Sequence, residues 1–351
     1  MNKIKRTIIF NQFKKDLIGK DSHRGVTLTY SWMANQFGHI ALGFMPAFIL
    51  HDNIKYIITY KNPLYASVIV SLFWLFFEIY NFLGPLLISK PYINNLLFRN
   101  KNDNNIFKPK WFNIAYDTFT DVSFFALGAF AYSFYINRFE DKITLFVLFF
   151  LFVYLIRASN YWYLTKMYQH YANLPFQIRL SQWDYKIDVE QQNKIYTFIT
   201  SKNTGKHLLV YGSQFSGKTS LGVSILNELS IKHKVCLYMS AIKLFSFFFV
   251  EENTLLNSHR IWSWKETDYL VIDDINPGAP INKELINPEN ILNFLDPTQI
   301  GCVNKESCTL IAEKNIIWIL GSECKKANKW FDMLIQIGVQ KKNISKINLI
   351  D

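Results

Sequence analysis

Residues 211–220 of this 351-residue chain, YGSQFSGKTS, have the composition and spacing of a loop that grips phosphate groups. From Gly212 to Thr219 they fit the pattern G-x-x-x-x-G-K-[ST] in full. Glycines let the backbone bend so that successive N–H groups face phosphate oxygens. The lysine, Lys218, would reach the β- and γ-phosphates, and the Thr219 hydroxyl would ligate Mg²⁺. The residues predicted to contact a nucleotide are Gly212, Ser213, Gln214, Phe215, Ser216, Gly217, Lys218, Thr219 and Ser220.

Two further polar positions follow apolar runs and could complete such a site. The stretch DYLVIDDINP at 268–277 has four apolar residues followed by Asp273 and Asp274. A phosphate loop needs an acidic partner at a strand end, so we expect Asp273 to hold Mg²⁺ through water and Asp274 to polarise the attacking water. The run NIIWILGS at 315–322 ends in Ser322, which is placed to sense the γ-phosphate. Lys218, Asp274 and Ser322 are therefore the predicted catalytic residues, and Thr219 and Asp273 the predicted metal ligands.

The elements around these residues predict an α/β domain over 201–351. HLLVY at 207–211 is a short apolar run suited to a buried parallel strand, and an apolar-periodic helix follows the loop. Further strands are expected at 233–240 and 345–350. The order predicts a doubly wound, mainly parallel five-stranded sheet with its ligand at the carboxyl ends of the strands. The four cysteines lack the spacing of a zinc site and are expected to be reduced thiols.

The segments LLVYGSQFSGKTSL, VCLYMSAIKLF and YLVIDDINP resemble the core of the AAA+ ATPases, especially the replication-initiator and helicase-loader branch. The resemblance covers roughly residues 175–350. It implies a P-loop NTPase domain that uses ATP and Mg²⁺, with the adenine contacted near 176–180. The chain departs from the family in two respects: no helical lid is expected after the last strand, and no arginine follows Arg260 to act as an arginine finger. Hydrolysis is therefore expected to be slow or activated by a partner.

The preceding half of the chain predicts an all-α transmembrane four-helix bundle over 31–165. A spanning helix needs about 20 mostly apolar residues, and four segments qualify, at about 31–50, 63–89, 115–137 and 143–163. Residues 1–30 form a basic segment before them, and residues 166–200 form a linker onto the ATPase domain. Ile9, Phe13 and Leu17 recur every four residues, which is typical of a helix on the membrane surface; a solvated basic tail is the alternative.

The distribution of lysine and arginine predicts the orientation. The segments before, between and after the first three spans hold seven, two, five and two basic residues in turn. Positive charge marks the cytoplasmic side, so both termini and the ATPase domain are expected in the cytosol of a prokaryote, at its cytoplasmic membrane. The net charge of +11 is largely explained in this way. Nucleic-acid binding is conceivable but is not indicated, because no basic stripe is present.

Ionisable side chains inside predicted spans mark a second candidate site: His39, Glu78, Asp117 and Asp121. Such groups are costly in a membrane and usually face the bundle interior, and each of the four spans is expected to carry its polar groups in the cytosolic half. They form either a pocket for an ion, a lipid headgroup or a small ligand, or a set of contacts that hold the helices together.

Three functions fit these features. The first is a membrane-anchored ATPase that couples its nucleotide state to the membrane domain or to a protein partner, as in some regulatory or defence systems. A nucleotide-gated scaffold that recruits DNA or a replication protein is the second. The third is a transport subunit with a fused ATPase. Beyond the lipid bilayer, a protein partner or a homo-oligomer is expected.

Overall fold

The computed structural model describes residues 4–18, 26–54, 62–88, 107–185, 187–201, 204–247, 261–276, 285–295, 305–321 and 324–349. These residues form two compact units. The first contains the described residues of 4–88 and 109–166, and the second contains Phe107, Lys108 and the described residues of 167–349.

The first unit is helical. Its elements are α1 (Arg6–Leu17), α2 (Leu28–Ile54), α3 (Pro63–Ile88), α4 (Trp111–Asn137) and α5 (Lys142–Tyr171), the last of which continues beyond the unit. Among the described residues, four helices are long and apolar enough to cross a membrane: α2, α3, α4 and α5. The sequence-based prediction of four candidate spans is confirmed. Three of the helices extend beyond the predicted 31–50, 115–137 and 143–163, because an apolar pattern marks only the apolar part of a helix and the ends of these helices carry polar residues.

Two glycines allow α2 and α4 to pack backbone against backbone. A Cβ atom at Gly43 would overlap the Phe125 carbonyl, and one at Gly128 would overlap the Ile40 carbonyl. Small residues at crossing points are the usual means by which membrane helices approach closely. Helix α3 is attached to α4 by the Ser67 hydroxyl, which donates to the Ala129 carbonyl over 2.6 Å.

Helix α1 buries polar side chains and exposes apolar ones. Asp16 accepts hydrogen bonds from Gln12 (2.9 Å), Thr27 (2.9 Å) and the Tyr163 hydroxyl (2.7 Å). Gln12 and Asp16 are buried, whereas Phe10 is 68% exposed. The helix expected from the apolar spacing is therefore present, and its polar face is the one attached to the unit.

The second unit is a sheet flanked by helices. After α6 (Val189–Thr200) come β1 (His207–Gly212), α7 (Lys218–Ile231), β2 (Cys236–Ser240), α8 (Ala241–Ser246), β3 (Tyr269–Asp273), α9 (Pro288–Leu295), α10 (Lys305–Glu313), β4 (Asn315–Ile319), α11 (Cys324–Gln336) and β5 (Ile344–Leu349). Strands β1, β3 and β4 are buried along their whole length, as expected for parallel strands covered on both faces.

The five strands are ordered β2-β3-β4-β1-β5, and every neighbouring pair is parallel. The predicted parallel five-stranded sheet is confirmed. Two apolar cores lie on its opposite faces. One holds Leu209 and Trp318 with residues of α8 and α11, and the other holds Leu208 and Ile317 with residues of α6 and α7. Helices therefore cover both faces of the sheet, as the doubly wound arrangement requires.

Candidate functional site

The segment 212–219, called here the glycine loop, joins the carboxyl end of β1 to the first turn of α7. Gly217 has φ +80° and occupies the N-cap position of α7, a backbone conformation that glycine adopts without strain. Gly212 lies against β5, where a Cβ atom would approach the Leu349 carbonyl oxygen to 2.6 Å. Both glycines of the sequence pattern are thus required by the local geometry.

Lys218 lies across the glycine loop. Its ammonium group donates to the carbonyls of Gly212 (2.9 Å) and Ser213 (2.6 Å). Burial lowers the pKa of Lys218, and the negative charge of Asp273 opposes that shift. The loop lysine and the acidic end of β3 are therefore close enough to interact electrostatically, although β4 separates their strands.

The loop also contains a buried hydroxyl without a partner. Ser216 is 8% exposed, and within the described part of the chain its Oγ has no hydrogen-bond partner. Phe215 beside it has φ +66°, and its side chain is 87% exposed. Left-handed residues within a short loop turn successive N–H groups toward one side, which is the geometry of an anion-binding nest.

Asp273 is the buried acidic group of the site. It is 4% exposed at the end of β3, and its two oxygens accept hydrogen bonds from the Tyr238 hydroxyl and the Asp274 N–H, each of 2.8 Å. A carboxylate oxygen has two lone pairs, so each oxygen can still accept one further donor, such as a metal-bound water.

Asp274 differs from Asp273 in its exposure and in its backbone conformation. It lies at the surface with φ +58°, at the turn that leaves β3. Partial burial and the adjacent charge of Asp273 raise the pKa of Asp274. A carboxylate whose pKa is raised is a better proton acceptor, which suits the role predicted for it.

The segment that follows the carboxyl end of β4 contacts the glycine loop. The Gly212 N–H donates to the Gly321 carbonyl over 3.3 Å. The Asn276 side chain packs against Gly321, where a Cβ atom would lie 2.6 Å from its amide nitrogen. Ser322, predicted to sense the γ-phosphate, lies outside the described residues.

An aromatic pair that the sequence did not single out borders the loop. The indole N–H of Trp183 donates to the Gly217 carbonyl over 3.1 Å. The ring of Tyr185 lies so close to Gly217 that a Cβ there would be 2.5 Å from it. Tyr185 is 42% exposed and could stack on a base. Trp183 and Tyr185 thus border the glycine loop.

The segment before this pair is fixed along α7. Arg179 forms a 2.6 Å ion pair with Glu228, and the Asn227 amide donates to the Ile178 carbonyl over 2.8 Å. These contacts place the predicted linker against α7 and hold Trp183 beside the loop.

The residue types at the glycine loop are those that Mg²⁺ and a nucleoside triphosphate would require. Helix α7 presents its amino end at the loop, where the first N–H groups of a helix have no partner within it. The unpartnered Ser216 hydroxyl, Lys218 and the half-buried Thr219 all lie within residues 216–219. Thr219 and Asp273 would hold the metal. Among the described residues no group of three His, Cys, Asp or Glu side chains could hold a metal by itself, so phosphate oxygens and water would supply the remaining ligands.

Three of the four ionisable residues predicted within the spans lie close together. The Nδ1 atom of His39 in α2 lies 3.4 Å from Asp121 Oδ1 in α4 and 3.2 Å from Gln36 Oε1. Glu78 of α3 interacts electrostatically with both His39 and Asp121. Three helices thus contribute to one polar cluster. Asp117 lies one turn before Asp121 on α4.

The chain was also compared with known proteins. No protein-family model matches it, and no curated protein sequence matches it either.

Proposed function

We propose that the chain is a membrane-anchored ATP-binding protein and an ATPase of the AAA+ P-loop class, with the second unit in the cytosol. The observation that carries the proposal is the meeting of three features at one end of the sheet. These are the glycine loop at the amino end of α7, the ammonium group of Lys218, and the buried carboxylate of Asp273. Their residue types and spacing match the requirements of phosphate and Mg²⁺ binding.

The sheet order places the predicted phosphate-binding and metal-binding residues at the ends of different strands. Because β4 lies between β1 and β3, the glycine loop and Asp273 are separated by two strand spacings, roughly 9–10 Å. A gap of this size accommodates a γ-phosphate and an attacking water between them. Gly321 and Asn276 border the gap at the end of β4.

The site's residues then have distinct roles. Lys218 exchanges the carbonyls of Gly212 and Ser213 for phosphate oxygens, and its charge stabilises the transition state. Asp274 orients the attacking water and accepts its proton. Thr219 and Asp273 would hold Mg²⁺, which would supply positive charge next to the triphosphate. No arginine follows Arg260, so the cation that usually accelerates hydrolysis would come from a partner or a second copy.

The proposed orientation rests on the charge distribution. The basic residues of the segments that flank the four candidate spans favour cytosolic termini. This topology would put the glycine loop in the compartment that contains ATP.

Steady-state ATP hydrolysis by the detergent-purified full chain tests the enzymatic part of the proposal. We expect slow turnover in wild type and at least a tenfold loss in Asp274→Asn, because the base is removed while ATP still binds. A wild-type rate equal to that of Asp274→Asn, with ATP binding intact, would leave a nucleotide-gated scaffold as the function.

A further inference from the structure

An apolar cavity of about 590 Å³ lies in the first unit, between α1 and the helices α2, α4 and α5. Its walls include Phe10 and Phe13 of α1 and Phe37 of α2. Small-ligand sites typically have volumes of roughly 300–1,000 Å³. Its lining includes neither a residue of the glycine loop nor His39, Glu78 or Asp121, but it does include Gln36, which contacts His39.

The exposure of α1 indicates which medium surrounds the cavity. Phe10, Phe13 and Leu17 are 68%, 41% and 55% exposed, whereas Gln12 and Asp16 are buried in a hydrogen-bonded network. In water this arrangement would expose apolar surface and bury polar groups. At the edge of a bilayer it is favourable, because the apolar face enters the acyl region.

Polar groups at the cavity are suited to an anionic headgroup. Arg6 lines the cavity with an exposed side chain and forms no ion pair with any described residue. The indole N–H of Trp32, also in the lining, is buried and has no hydrogen-bond partner within the described ranges. Asn160 adds an amide. A buried donor without a partner is costly, and an acceptor oxygen in the cavity would relieve that cost.

We propose that this cavity binds an anionic phospholipid. Its acyl chain would lie among Phe10, Phe13 and Phe37, and its phosphate would pair with Arg6. An ester or phosphate oxygen would accept the hydrogen bond of Trp32. Lys5, the exposed residue directly before Arg6, favours a negatively charged headgroup over a zwitterionic one. A bound lipid would fix α1 against α2 and α5.

Equilibrium binding of a fluorescent phosphatidylglycerol to the detergent-purified full chain tests the proposal, with phosphatidylcholine of the same acyl chains as the comparison. Wild type is expected to bind phosphatidylglycerol more tightly. Arg6→Gln should weaken that binding about fivefold and leave phosphatidylcholine binding unchanged, as expected for the loss of one basic group near a headgroup. Lys14→Gln is the matched control, because Lys14 is exposed on the same helix but does not line the cavity.

A second variant tests the acyl part of the site. Ile9→Trp narrows the cavity and should weaken binding of both lipids, with thermal unfolding measured to establish that the variant is folded. Arg6→Gln changes an exposed side chain and so provides the test even if Ile9→Trp does not fold. Equal loss with Lys14→Gln would show diffuse surface attraction and overturn the proposal. So would equal affinity of wild type for both lipids, or displacement of the lipid by glycerol phosphate at the same concentration.

Discussion

The hydroxyl of Tyr238 donates a 2.8 Å hydrogen bond to Asp273 and thereby fixes the buried carboxylate at the end of β3 from the neighbouring strand β2. Burial and the charge of Asp273 raise the pKa of Tyr238, so the phenol stays protonated and remains a donor. Within the described parts of the chain, Asp273 forms no ion pair with an arginine or lysine, so Tyr238 and the Asp274 N–H hold its orientation.

Removing this donor should weaken metal binding more than folding. We expect Tyr238→Phe to raise the Mg²⁺ concentration needed for half-maximal ATP hydrolysis about tenfold, since partners of metal ligands typically contribute ten- to a hundredfold in affinity. Tyr196→Phe, a partly exposed tyrosine of α6, is the control and should leave the Mg²⁺ dependence unchanged. An unaltered dependence in Tyr238→Phe would show that the hydrogen bond does not position a metal ligand.

Gly217→Ala should distort the glycine loop for two reasons. An alanine at φ +80° is strained, and its Cβ would collide with the ring of Tyr185. We expect loss of ATP binding by at least tenfold, measured by equilibrium dialysis. Gly338→Ala separates the two causes, because Gly338 also has positive φ but an added Cβ there would have no atom within 4 Å. It should cost about 1–2 kcal/mol of stability and leave nucleotide binding intact.

His207 gives the second unit a defined pH dependence. It is 1% exposed, and its Nδ1 accepts a 3.0 Å hydrogen bond from the Trp318 indole. Burial lowers its pKa from 6.5 to about 4. The unfolded chain therefore binds a proton between these values and the folded chain does not, so stability is complete above about pH 6.5 and falls as the pH drops toward about 4.

Protonation of His207 should lower the free energy of unfolding by about 3 kcal/mol once the pH has fallen to about 4. Denaturant unfolding followed by tryptophan fluorescence across that pH range measures it. In His207→Asn, whose amide oxygen can still accept from Trp318, the slope of stability against pH should be smaller in this window. An unchanged slope would show that His207 is not the group responsible.

The helix contact at Gly43 predicts a position-dependent effect in the membrane unit. Gly43→Leu would force α2 away from the Phe125 carbonyl of α4, whereas Gly38 on the same helix has no atom within 4 Å of an added Cβ. We expect Gly43→Leu to lower the thermal unfolding midpoint in detergent by an amount equivalent to about 1–3 kcal/mol. Gly38→Leu should have little effect. Equal effects of the two substitutions would mean that side-chain bulk alone, and not the close crossing, decides stability.

Much of the fold could be predicted from the sequence because its determinants are local. Long apolar runs predicted the four candidate spans, and short apolar runs predicted strands β1, β3 and β4. The positions of Asp273 and Asp274 followed from the end of such a run. These features depend on residues adjacent in the chain.

Other parts of the site depend on contacts between distant residues, and the sequence did not reveal them. Tyr238 meets Asp273 because β2 pairs with β3 in parallel register. Tyr185 and Trp183 reach Gly217 because Arg179 and Asn227 fix the linker along α7. Register and linker path are set by tertiary packing, which periodicity does not encode.

The most direct test of the nucleotide site is equilibrium binding of a fluorescent ATP analogue to the full chain in the presence of Mg²⁺. We expect saturable binding by wild type, a loss of about tenfold or more in Lys218→Ala, because the charge-assisted contacts to phosphate are removed, and unchanged binding in Lys234→Ala. Lys234 is the matched control, an exposed lysine that follows the carboxyl end of α7. Equal affinity in wild type and Lys218→Ala, or no binding by wild type, would contradict the assignment of the glycine loop as a nucleotide site.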